Sequence, residues 1–266
     1  MKISIILPSY KRAHLLRLGL SSMVRFKPSI AKYEILVLND GIPDETENIC
    51  KHYSDRLDIK YIFTGKRNLD GVMKKRVPSR TLNIGIKQAT GDIVILSSPE
   101  VYHLNNAVDI LVHHLMLAPK SMIIPNFLYF DQAGTVTNEL VALSDEQLTC
   151  PHIKENLLVS GGFGHGHVVM PYLMALYRNE IMFIGGYDED FTGYAADDND
   201  FVDRLKLNGL RHVRTTAQAI HLYHEGTGDG AAHWENPAWV YNYNLYQSRK
   251  NILIRNVDKE WGKLDE

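Results

Sequence analysis

Four short apolar runs divide the first hundred residues. Residues 3–7 form a run broken only by Ser4 and ended by Pro8, residues 33–38 end at Asn39-Asp40-Gly41, residues 59–63 make a shorter run, and residues 92–96 exit through Ser97-Ser98-Pro99-Glu100. Runs of this length, without polar alternation, fit strands buried on both faces of a parallel sheet. Between them, apolar and polar positions mix at helical spacing: Leu15, Leu16, Leu18, Leu20 and Met23, then residues 43–54, then residues 79–89 before Gly91. Strand and helix therefore alternate, which predicts βαβ units and an α/β fold with a mostly parallel central sheet flanked by helices. Ligands of such sheets bind outside the carboxyl ends of the strands. The polar exits at residues 8–12, 39–41 and 98–100 are expected to gather on that rim.

The second half is less regular. Residues 104–117 fit a core helix, which makes His113 and His114 packing or surface residues, and residues 122–130 fit another strand. Asp131-Gln132-Ala133-Gly134 then reads as a hairpin-like turn, and residues 211–215 and 217–222 as two short strands. Ser160-Gly161-Gly162-Phe163-Gly164-His165-Gly166-His167 resembles a phosphate cradle only in composition. Such a cradle needs a following helix, and Pro171 stands where that helix would run, so a mobile loop beside an acceptor is the expectation.

The most informative stretch is Gly185-Gly186-Tyr187-Asp188-Glu189-Asp190-Phe191-Thr192-Gly193-Tyr194-Ala195-Ala196-Asp197-Asp198-Asn199-Asp200. Phe201, Val202, Leu205 and Leu207 follow, interleaved with polar residues, and Gly209 ends the run. This is an irregular loop feeding an amphipathic helix. Acidic residues are favoured at a helix start, but one capping oxygen suffices there. Four polar residues behind a small-residue loop exceed that structural need.

Composition narrows the partners. With 45% hydrophobic and 23% charged residues over 266 positions, the chain has the makings of a full core. A net charge of −2 gives no electrostatic case for nucleic acid. Cys50 and Cys150 are the only cysteines and make no disulfide framework, which fits a reducing compartment. The first apolar run is too short for a signal peptide or a membrane span. The expectation is a cytoplasmic protein, with peripheral association at the inner face of a membrane compatible with the sequence and the oligomeric state left open.

The acidic stretch resembles the galactosyltransferase C-terminal pattern of glycosyltransferases with the GT-A, nucleotide-diphospho-sugar transferase, fold, with Asp197-Asp198 standing where that family has Glu-Asp. The amino-terminal half is similar to family-two glycosyltransferases through Pro8-Ser9-Tyr10-Lys11-Arg12, Leu38-Asn39-Asp40-Gly41 and Arg80-Thr81-Leu82-Asn83-Ile84-Gly85 before Gly91-Asp92. The resemblance covers roughly residues 1–105 and 175–225 and implies one GT-A catalytic domain over residues 1–266. Within it, residues 1–105 would be the nucleotide-binding half, 106–230 the acceptor and catalytic half, and 231–266 an aromatic carboxyl-terminal extension.

The implied roles follow residue by residue. Pro8, Tyr10, Arg12, Asp40, Arg80 and Ser98 would bind the nucleotide of a UDP-sugar donor. Asp198 would be the base that deprotonates an acceptor hydroxyl, inverting the anomeric centre, with Asp197 beside it touching substrate hydroxyls. Glu100 takes the place of the last aspartate of the family's Asp-x-Asp motif, so one carboxylate stands where two are usual. His224 is the first choice and His221 the second to complete a Mn²⁺ or Mg²⁺ site with Glu100, and His103 is a further candidate. The acceptor would be a saccharide or glycoconjugate, and Trp234, Trp239, Tyr241, Tyr243 and Tyr246 would either stack on sugars or pack on the core. The competing readings are a retaining transferase and a non-catalytic nucleotide-sugar-binding protein. A nucleotidyltransferase would need a glycine-rich phosphate loop after the first strand, and residues 8–12 contain no glycine.

Overall fold

The computed structural model describes residues 1–41, 43–64, 78–149, 170–193, 195–225 and 236–264. The glycine- and histidine-rich stretch at residues 160–167, the segment 226–230 and Trp234 lie outside them. The first half alternates as its apolar runs dictate: β1 (Lys2–Ser9), α1 (Ala13–Arg25), β2 (Lys32–Asn39), α2 (Thr46–Tyr53), β3 (Ile59–Phe63), α3 (Ser79–Gln88) and β4 (Ile93–Ser97). The second half contains β5 (Val101–His103), α4 (Ala107–Leu117), β6 (Ser121–Phe130), α5 (Thr135–Val141), α6 (Asp145–Leu148), β7 (Leu173–Tyr177), α7 (Arg178–Phe183), α8 (Asp197–Leu207), β8 (Arg211–His221) and α9 (Pro237–Arg249).

One eight-stranded sheet takes strands from both halves in the order β3-β2-β1-β4-β7-β6-β8-β5. The first four strands are parallel, β7 runs antiparallel to both β4 and β6, β6 and β8 are parallel, and β5 runs antiparallel to β8. Helices cover both faces. On one, Leu16 and Leu20 of α1, Cys50 and Tyr53 of α2, and Leu111 and Leu115 of α4 bury Ile3, Ile5, Val37 and Ile95. On the other, Leu82 and Ile86 of α3, Ile181 of α7, and Phe201 and Leu205 of α8 bury Ile6, Leu36, Leu96, Met122 and Ile124. Every residue of β4 is buried, as expected for a strand at the centre of a sheet covered on both faces.

Two local expectations fail for identifiable reasons. The Asp131-to-Gly134 turn does not make a hairpin. Gly134 adopts a left-handed conformation, and Asp131 Oδ2 accepts from both the amide and the hydroxyl of Thr137 at 2.7 Å, so the turn opens α5. The two short strands after Gly209 are one, because β8 runs from Arg211 to His221 beside β6 and a register shift between Pro125 and Phe127 absorbs the irregularity. Among the described residues, no helix is long and apolar enough to cross a membrane.

Candidate active site

The sheet brings the first two polar exits together. The Asp40 amide donates to the Ser9 carbonyl at 2.7 Å, tying the end of β2 to the end of β1. Asp40 is buried, and Thr64 Oγ1 donates to its Oδ1 at 3.2 Å. Pro8 sits in β1 opposite Leu38, while Tyr10 is exposed with Lys11 Nζ 5.3 Å from its ring centre. Ser98 leaves β4 with a buried hydroxyl that has no hydrogen-bond partner. Arg80 lies in the first turn of α3, half exposed, with Nε 3.8 Å from Glu189 Oε2 in the acidic loop.

Glu100, His221 and His224 meet although 121 residues separate the first two in sequence. The cause is the β5–β8 pairing, which sets Val101 opposite His221 and leads the Leu222 amide to the Glu100 carbonyl at 2.8 Å. One ligand atom from each of the three lies within 4.8 Å of the others. His224 Nε2 is 3.3 Å and His221 Nε2 3.8 Å from Glu100 Oε1. Glu100 Oε2 is buried with no hydrogen-bond partner. A buried carboxylate oxygen left bare is costly unless a cation or donor meets it, so the donor set fits a metal ion. One oxygen and two imidazole nitrogens suit Mn²⁺ better than the harder Mg²⁺.

The electrostatics agree. Burial alone would raise the Glu100 carboxyl, but the His224 contact and the two imidazoles override it and hold it below the usual range. The same contact raises His224, while burial lowers His221 despite Glu100. His221 stacks on Phe130 with ring centres 5.0 Å apart and meets the edge of Tyr172 at 5.2 Å, which fixes its ring. His103 does not join. It is buried in β5, its Nε2 lacks a partner, and burial pushes its pKa down to about 4, so it is a neutral core residue.

Asp197 and Asp198 open α8 directly, so the four polar residues are the helix's first turn and not a loop before it. Two residues ahead of them, Ala195 and Ala196, hold φ of 76° and 69°. Left-handed backbone at consecutive non-glycine residues is strained and persists only where surroundings impose it. Burial raises Asp197 to about 6, partly offset by backbone amides, and the nearby Asp200 charge adds to the rise. Asp198 is raised well above the carboxylate range, first by desolvation and then by the Asp197 charge. Tyr187 Oη donates to Asp198 Oδ1 at 3.4 Å, and its ring stacks on Phe201 at 4.0 Å.

The sequence did not assign the scaffold behind this loop. Asp188 and Asp200 are buried, and Arg255 joins them, with Nε 2.9 Å from Asp188 Oδ2 and Nη2 2.6 Å from Asp200 Oδ1. Arg249 Nη1 adds a 2.7 Å contact to Asp188, and Arg204 Nε one of 2.6 Å to Asp200. Gly185 has φ of 77°, and a side chain there would strike the Arg255 carbonyl, so the carboxyl-terminal strap demands glycine. The strap's arginines were hard to find because their partners lie about 50 to 70 residues away. The aromatic helix α9 divides its work. Asn242 and Tyr246 bond Thr192 and Asp203, while Trp239 and Tyr243 stack on each other at 5.0 Å with Tyr241 and Tyr243 exposed.

Known proteins share this chain's sequence pattern and fold. The family described as Glycosyl transferase family 2 matches residues 4–173, and one described as the N-terminal domain of galactosyltransferase matches residues 169–225, which include the acidic loop. Validoxylamine A glucosyltransferase of Streptomyces hygroscopicus subsp. jinggangensis is 25% identical over 244 residues, covering 85% of this chain and 56% of that protein. The chain thus spans about half the length of that curated relative. The structure of Staphylococcus aureus TarS with UDP-GlcNAc aligns with a TM-score of 0.63 at 16% identity, covering 98% of this chain and 68% of that one. A Pyrobaculum calidifontis mannosyltransferase with GDP-Man and Mn²⁺ aligns with a TM-score of 0.58 at 16% identity, covering 93% and 62%. These structural likenesses concern the fold. A profile that matches well over half of the chain, set on the GT-A architecture, shows that the chain belongs to glycosyl transferase family 2.

Proposed function

We propose that this chain moves a sugar from a UDP-sugar to a hydroxyl of a saccharide or glycoconjugate, with inversion and with help from a divalent metal. The observation that carries the reading is the Asp197–Asp198 pair, two carboxyls of raised proton affinity opening one helix beside a phenol donor. A carboxylate that holds a proton strongly is a better base for a hydroxyl than an ordinary one. Asp198 takes the acceptor's proton as its oxygen bonds to the anomeric carbon, and the carbon–oxygen bond to the diphosphate breaks on the opposite face. UDP leaves with the bonding electrons. Asp197, by its charge, raises the proton affinity of Asp198 and touches substrate hydroxyls.

Glu100, His221 and His224 would hold the ion, whose chemistry is to neutralise charge developing on the leaving diphosphate. Pro8, Tyr10, Asp40 and Ser98 line the nucleotide rim. Arg12 and Arg80 supply fixed positive charge, and the planar guanidinium is well matched to phosphate oxygens. Uridine is supported by the UDP-GlcNAc held in a structure of the same fold, although another such structure holds a guanosine donor. The test is calorimetric titration of UDP and GDP with and without Mn²⁺. UDP binding strengthened by Mn²⁺ is expected; tighter GDP binding would reverse the base assignment, and no effect of Mn²⁺ or chelator would remove the metal.

A further inference from the structure

A pocket of about 260 Å³ opens between β6, β8 and the start of β7. It lies among the strands on the far side of β4 from β1, β2 and β3. Phe130 and Tyr172 line it, and the same two rings hold His221, so the pocket and the proposed metal cluster share a wall. The register shift after Pro125 lets successive residues of β6, Ile124, Pro125 and Asn126, all face this space. The walls are mainly apolar, the usual character of small-molecule sites, and the volume falls just below the roughly 300–1000 Å³ usual for such sites.

Into this pocket β8 delivers Arg214, paired across the sheet with Ile124. Arg214 is half-buried and makes no hydrogen bond, ion pair or ring contact among the described residues. Among the described residues no acidic one lines the space, and its other polar groups are the amides of Asn126 and Gln132 and the hydroxyl of Tyr172. A guanidinium set among apolar walls without a counter-charge is expensive unless a ligand brings one. Its planar fork matches a carboxylate or phosphate bidentately.

We infer that this pocket receives a sugar ring of the acceptor that carries an anionic group, a carboxylate or a phosphate, and that Arg214 grips that group. The inference rests on the glycosyltransferase reading and narrows its acceptor to acidic saccharides. The amides of Asn126 and Gln132 would serve ring hydroxyls, and Phe130 and Tyr172 the ring's apolar face.

The test uses the full chain and three probes, glucuronate, glucose 6-phosphate and glucose, with binding followed by NMR for the parent, Arg214→Gln and Arg214→Lys. At least one anionic sugar should bind about tenfold tighter than glucose to the parent, the gain of a charge-assisted hydrogen bond. Which anion wins identifies the group. Arg214→Gln should bring anions down to the level of glucose, Arg214→Lys should recover part of the loss, and glucose binding should not change. Glucose binding as well as both anions, or an Arg214→Gln protein that keeps the preference, overturns the assignment. UDP is titrated in parallel with each protein. A fall in UDP affinity in Arg214→Gln would make Arg214 a diphosphate ligand and also overturn it. Failure of the parent to bind UDP would sink the glycosyltransferase reading, whereas UDP binding without anion preference sinks only the pocket.

Discussion

Arg12 Nη2 lies 3.0 Å from His224 Nδ1, joining the exit of the first strand to the segment after the last. A guanidinium can only donate, so Nδ1 accepts here and the neutral ring keeps its hydrogen on Nε2, toward Glu100 Oε1 at 3.3 Å. Metal ligation through Nε2 requires that nitrogen bare, which moves the hydrogen to Nδ1, where the Glu225 carbonyl waits at 3.2 Å. Arg12 would then lose that acceptor, keep the Glu225 carbonyl to which its Nη2 also donates at 2.9 Å, and have a donor to turn toward a phosphate. An ion and Arg12 therefore compete for His224 until a diphosphate offers Arg12 another partner.

Arg12→Ala should accordingly bind Mn²⁺ without nucleotide at least as tightly as the parent, while UDP affinity drops by about tenfold or more. Calorimetry reads both. Weaker Mn²⁺ binding in the variant would show that Arg12 supports the ion site instead of competing with it.

Glu100 and His103, three residues apart, should separate cleanly. Glu100→Ala removes the only carboxylate of the cluster and should cost about 100-fold or more in Mn²⁺ affinity. His103→Ala should leave Mn²⁺ affinity alone and lower stability by about 2–4 kcal/mol through the cavity it opens. Metal titration and urea unfolding distinguish them, and a metal defect in His103→Ala would contradict its placement in the core.

Arg255 is expected to be a stability residue with a catalytic shadow. Arg255→Met leaves Asp188 and Asp200 short of a buried counter-charge, which should cost about 3–5 kcal/mol. Chemical denaturation checks the figure. A cost below about 1 kcal/mol would mean that Arg249 and Arg204 alone satisfy the two carboxylates.

What the sequence made legible tracks how local each cause is. The parallel half was readable because its strands carry dense apolar runs between helical patterns, and even the half-exposed edge strand β3 was read with the bounds it has, residues 59–63. The Asp131 turn was misread because a side-chain oxygen that accepts from a helix amide six residues on leaves the same letters as a hairpin loop. Glu100, His221 and His224 were named as a possible set, but their meeting depends on an antiparallel β5–β8 pair that three residues cannot announce. Arg255 and Arg214 left no local trace, since one meets carboxylates far away in sequence and the other is set apart by having none near it among the described residues.

The last prediction concerns Asp197 and Asp198, where function and stability should pull apart. Both carboxyls hold protons more strongly in the folded chain than in the unfolded one. Such groups contribute stability that is fully present below the unfolded pKa and is lost as pH rises through the folded value, about 6 for Asp197. At pH 7 to 8 the pair is therefore a burden on the fold. Asp198→Asn should raise stability there by about 1–3 kcal/mol relative to the parent, and the gain should vanish toward pH 4. Turnover should meanwhile fall by about 10²–10⁴-fold with UDP affinity kept, since the amide cannot take a proton. Asp197→Asn should share the stability gain with a milder loss of turnover. Tyr187→Phe removes the donor that partly restrains the rise at Asp198, so the acidic limb of its pH–rate profile should move to higher pH. A fully active Asp198→Asn would hand the role of base to another group, and an Asp198→Asn that is inactive yet no more stable at pH 8 than the parent would show that the carboxyl is not held under the electrostatic strain described above.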